Sequence, residues 1–126
     1  MNEVSYLAWS ESVWLDRDQL AHLYQQLGVS AAENVVCRSM EELAVRLSFT
    51  ERLHRQGDMA NMRKSLNSLA AIADQIGMTK LVRVSGDVGQ CIEDGDGIAV
   101  AATLGRLLRI GERSLTEVWD LQDLSL

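Results

Sequence analysis

The fold turns on residues 58–77, DMANMRKSLNSLAAIADQIG, where Met59, Met62, Leu66, Leu69, Ala73 and Ile76 recur at alternating spacings of three and four. That is the period of an α-helix with one apolar stripe. Asp58 stands ahead of the stripe as an N-cap whose carboxylate can accept free first-turn amides. Gly77 stands after it, where a left-handed residue ends a helix without steric cost. The segment predicts a helix over 58–76 with one face in a core.

The same punctuation divides the rest of the chain. Gly28, Gly57, Gly77, Gly95 and Gly97 follow periodic segments, and Asp16, Ser30, Asp58 and Asp96 are placed to cap the helices that start after the breaks. The expected helices are 16–27, 30–55, 58–76, 78–94 and 97–120. An apolar N-terminal segment at 3–12 carries Val4, Tyr6, Leu7 and Trp9, with Val13 and Trp14 just beyond. Met40, Leu43 and Leu47 continue the stripe pattern in the second helix, and Leu104, Leu108, Gly111, Leu115 and Val118 in the last. Proline is absent and no segment alternates apolar and polar residues, so strands have no support. Short connections make neighbours antiparallel. The expectation is a single all-α domain over 1–126: an antiparallel up-down four-helix bundle at 15–120 with an additional N-terminal helical segment, residues 1–14, capping one end against Trp119. Gly86 and Gly89 fall inside the 78–94 helix, where each costs about 1 kcal/mol relative to alanine. They read as tolerated surface glycines, or as a point of close helix or partner approach.

Composition narrows the function. The 126 residues are 47% hydrophobic and 24% charged, ample for a core without disulfides or metal. Eighteen acidic against twelve basic side chains give a net charge of −6, which repels nucleic acid and anionic lipid. No run of 18 apolar residues exists, and MNEVSYLAWSESVW carries acids where a secretory signal carries bases, so a cytoplasmic protein is expected, off the membrane. Cys37 and Cys91, and likewise His22 and His54, lie far apart in sequence. They suggest reduced thiols and no metal site or other cofactor.

From Leu15 to about Val118 the order of features resembles the histidine-containing phosphotransfer (HPt) domain family of bacterial phosphorelays. LDRDQLAHLYQQLG (15–28) is similar to the family's first bundle helix, and HRQGDMANMRKSL (54–66) to its glycine-aspartate turn into the active helix. LNSLAAIADQIGMTKL (66–81) resembles the signature segment, in which Ala-His-x-Leu-Lys-Gly is followed by an apolar-glycine pair closing the helix ten residues after the histidine. Counted back from Ile76-Gly77, Asn67 falls at the histidine, Leu69 at the leucine, Ala70 at the lysine and Ala71 at the glycine. The chain matches the scaffold and departs from the chemistry.

Helical geometry points Asn67 roughly 130° from the centre of the apolar stripe, toward solvent, together with Ala60, Lys64 and Ala71. Phosphotransfer needs an imidazole nitrogen that attacks an aspartyl phosphate. An asparagine amide cannot supply it, and neither His22 nor His54 falls at the signature position. The resemblance therefore implies a non-enzymatic signalling module with no catalytic residue, whose face of Ala60, Lys64, Asn67, Ala70 and Ala71 docks onto a response-regulator receiver domain or a histidine kinase. A second reading gives Asn67 the role of orienting a water for attack on a receiver's aspartyl phosphate, a phosphatase activity. A third is a structural bundle unrelated to phosphorelays that forms a homodimer through its tryptophan-rich N-terminus.

Overall fold

The computed structural model describes residues 15–124, with side chains described through Trp119. The described chain is all-helical: α1 (Arg17–Leu27), α2 (Val29–Arg55), α3 (Met59–Gln75), α4 (Thr79–Glu93) and α5 (Gly97–Leu124). Helices α2 to α5 pack each against the next, and α5 returns to α2, closing an antiparallel four-helix ring. Helix α1 packs along α2, touches α3 through the Gln19 side chain, and buries no residue fully. It is the appended element, so 16–27 is not one of the four bundle helices. The expected N-terminal segment, its tryptophans and their meeting with Trp119 lie outside the described residues.

Three of the four tight connections are built alike. At Gly57, Gly77 and Gly95 the backbone enters the left-handed region. The amide after each glycine donates to a carbonyl five residues back: Asp58 to Leu53 at 3.0 Å, Met78 to Ala73 at 2.9 Å and Asp96 to Cys91 at 3.2 Å. Each is a Schellman closure that satisfies carbonyls the helix end would leave unpaired. Asp58 and Asp96 then cap the following helix through Asn61 N at 3.2 Å and Ala99 N at 3.0 Å. One residue thus ends one helix and starts the next, which makes the turns short and the neighbours antiparallel. Asp16 caps α1 through Gln19 N at 3.1 Å.

Two expectations at helix ends are corrected. Ser30 is no cap: α2 begins at Val29 with Gly28 in the capping position, so Ser30 already lies inside the first turn. Gly97 is not a left-handed terminator, because Asp96 caps ahead of it and Gly97 is the first residue of α5.

The core runs through the ring. Met62, Leu66, Leu69, Ala73 and Ile76 are buried with Met59 packed beside them, as the 58–77 stripe requires. Met40, Leu43 and Leu47 meet them from α2, Leu81, Val84 and Val88 from α4, and Val100, Leu104 and Leu107 from α5. Between α2 and α3, Thr50 Oγ1 lies 2.7 Å from Ser65 Oγ and 2.7 Å from the Arg46 carbonyl. Thr50 has one proton and gives it to Arg46, so Ser65 donates to Thr50 and both buried hydroxyls are satisfied. Between α2 and α5, a Cβ on Gly111 would stand 2.6 Å from Leu47 Cδ1. The missing side chain at Gly111 makes room for Leu47 of α2.

Gly77 is constrained both by its backbone conformation and by its surroundings. Its φ is +76°, and a Cβ there would lie 2.8 Å from the Asp16 carbonyl oxygen. Gly95, at φ +71°, has open space around its Cβ position. Gly95→Ala is therefore expected to cost about 1 to 2 kcal/mol, the strain of a left-handed alanine alone. Gly77→Ala is expected to cost clearly more, since the backbone of Asp16 must also move. Urea midpoints at unchanged m-value measure both.

Candidate functional site

The candidate face lies on α3. Ala60, Lys64, Asn67 and Ala71 are exposed, in the register that the stripe dictates, while Ala70 is half-buried. Arg63 Nη2 reaches Glu93 Oε2 of α4 at 3.9 Å, an exposed contact that marks the antiparallel register of the pair. Counting from this contact down α3 and back along α4 sets Asn67 level with Gly89, and Ala70 level with Gly86. Gly89 and Gly86 precede Glu93 by four and seven residues and so share its side of α4. Ala70 is half-buried because it turns into this seam.

A Cβ at Gly86 or Gly89 would meet nothing within 4 Å. Neither glycine is needed for helix contact inside the molecule, so the close-helix alternative fails for this pair and falls instead to Gly111. By this register they lie on the side of α4 that faces the Asn67 side of α3. Position in sequence flagged them; only the register set by Arg63 and Glu93 joins them to Asn67.

The electrostatics of the face are set at its upper end. Hydrogen bonds from the Asn61 side chain and then its backbone amide hold the Asp58 carboxyl below its ordinary value of 3.8, with Lys64 adding in the same direction. Asp58 is thus spent on capping α3, while Lys64 and Arg63 bring positive charge one turn before Asn67. Exposed Asp74 lies two turns beyond Asn67. His22 is exposed on α1 and His54 is half-buried in the last turn of α2, neither on α3. Among the described residues no three His, Cys, Asp or Glu side chains cluster as a metal site would require. Cys37 and Cys91 are free and half-buried. No described helix is long and apolar enough to cross a membrane.

Two outcomes follow from this geometry. Gly86→Ala and Gly89→Ala are each expected to raise stability by up to about 1 kcal/mol, because the added methyl meets no obstacle in a helix interior. Because the Asp58 pKa is depressed by folding, its contribution is full above 3.8 and is lost as pH falls through the lowered value. Asp58→Asn should therefore flatten the acid limb of the stability-pH curve and leave its shape near neutrality unchanged, as read by thermal melts across pH.

Compared with protein-family models, with curated proteins and with solved structures, the chain finds no match in any of the three.

Proposed function

We propose that the chain is an HPt-like module of two-component signalling that lacks a phosphorylatable histidine and docks onto a receiver domain or a histidine kinase as an adaptor or competitor. The observation that carries this reading is the exposed Asn67 in a surface of small residues, formed by Ala60 and Ala71 on α3 and by Gly86 and Gly89 on α4. Two interior glycines that internal packing does not need are a stability cost. A partner that approaches the helix backbone closely gives that cost a use. Lys64 and Arg63 suit the acidic surroundings of a phosphorylatable aspartate. A cytoplasmic location is part of this reading.

The phosphatase alternative has weaker support. On α3 the positions that flank Asn67 by three and four residues are Arg63, Lys64, Ala70 and Ala71, none of them acidic. Asp74 stands seven residues on, about 10 Å along the axis, too far to share one phosphoryl group with the Asn67 amide.

The test is titration calorimetry of the purified chain against receiver domains, with Ala71→Arg as the variant. An arginine at this exposed site leaves the fold intact and is expected to weaken binding at least tenfold, about 1.4 kcal/mol. Gly86→Ala is expected to weaken it too while stabilising the fold. Binding unchanged by Ala71→Arg would remove the docking face, and faster dephosphorylation of the receiver that Asn67→Ala abolishes would replace docking with catalysis.

A further inference from the structure

The outer side of α2 carries a second surface, which the α3 face does not use. Arg38, Glu42, Val45, Phe49, Arg52 and Gln56 recur at spacings of four and three. They share one side of the helix and its C-cap over about 27 Å, with Val45 and Phe49 as the two apolar positions at the centre. The surface runs along the side of α2 away from Met40, Leu43 and Leu47, and forms a shallow open groove. Val45 is 66% exposed at its centre. Phe49 is half-buried, with the Arg52 guanidinium 5.6 Å above its ring.

The order of charges selects the occupant. A parallel helix of the same sequence would set Glu42 against Glu42, Arg38 against Arg38 and Arg52 against Arg52. An antiparallel copy, related by a two-fold axis midway between Val45 and Phe49, sets Val45 against Phe49 twice, Glu42 against Arg52 twice and Arg38 against Gln56 twice. Two apolar contacts at the centre are thus flanked on either side by a Glu42–Arg52 pair, a charge pattern complementary to a second, antiparallel copy. We propose that a second copy of this chain docks here, giving a two-fold dimer through α2. The interface is isologous and closed, so association stops at two. Two apolar layers flanked by solvent-exposed ion pairs make it a weak dimer, sensitive to salt. The surface borders α3 on the Ser65 side, whereas Asn67 sits toward α4, so each copy keeps its α3 face open.

Charge exchange tests the proposal. Sedimentation velocity of the full chain over rising concentration should show wild type moving from 14.0 kDa toward twice that mass, with added salt shifting it back. Glu42→Arg sets arginines against each other, and Arg52→Glu sets glutamates against each other. Each variant alone should remain monomeric with an unchanged helical circular dichroism spectrum. Mixed in equal amounts they should recover the dimer, because one chain then offers arginine at both positions and the other glutamate at both. A wild type that stays monomeric throughout, a Glu42→Arg variant that dimerises as wild type does, or two folded variants that fail to pair on mixing would each overturn the proposal.

Discussion

The structure depends on the absence of a side chain at position 77. Gly77 ends α3 in a left-handed conformation, and its carbonyl accepts from the Asp16 amide at 2.7 Å. The same turn delivers Met78 into the core, pairs it with Leu15 in an isolated antiparallel bridge and brings the Asp74 carbonyl to the Gln19 side chain. Helix α1 buries nothing fully, so its position rests on these contacts, on the half-buried Leu20 and Leu23 against the core, and on α2. A substituted residue 77 would disturb the end of α3, the entry of α4 and the seat of α1 together. The register of α3 against α4, on which the Asn67 surface depends, starts from this turn.

Much of this was legible in the sequence because the stripe and its punctuation agree. From Met59 to Ile76 the apolar spacing, the Asp58 cap and the Gly77 stop give one answer, and consistency of this kind is what lets local signals be trusted. The failures have local causes. Ser30 has the chemistry of a cap, yet Gly28 lets α2 begin a residue earlier. Residue type alone groups Gly97 with the terminators, although Asp96 before it already marks a start. Interior position singles out Gly86 and Gly89, while the glycine that admits a side chain of a neighbouring helix, Gly111, lies within an apolar stripe. Which helix faces a glycine is a tertiary fact that no single-helix pattern contains.

The exposure of Asn67 was equally legible, since it follows from 100° per residue. The extent of its surface was not, because Gly86 and Gly89 join it only across a helix pair whose register the Arg63–Glu93 contact reveals. The stripe on α2 escaped for another reason. Its charged positions have no place in a search for apolar periodicity, and the long helix was already accounted for by its buried side. A helix of 27 residues can serve a core on one side and still carry a self-complementary order of charges on the other.

The unequal lengths of the ring helices have a dynamic consequence. Helices α2 and α5, at 27 and 28 residues, outrun α3 and α4, at 17 and 15, so their far ends extend beyond the Gly77 turn. There the four-layer core gives way to a thinner assembly of α1, the start of α2 and the end of α5, in which Leu27 and Val29 remain exposed. Amide hydrogen exchange in such a molecule is graded rather than uniform: protons near Leu43, Leu69 and Leu107 leave only on global unfolding, while those of α1 leave through a smaller and more frequent opening of that end.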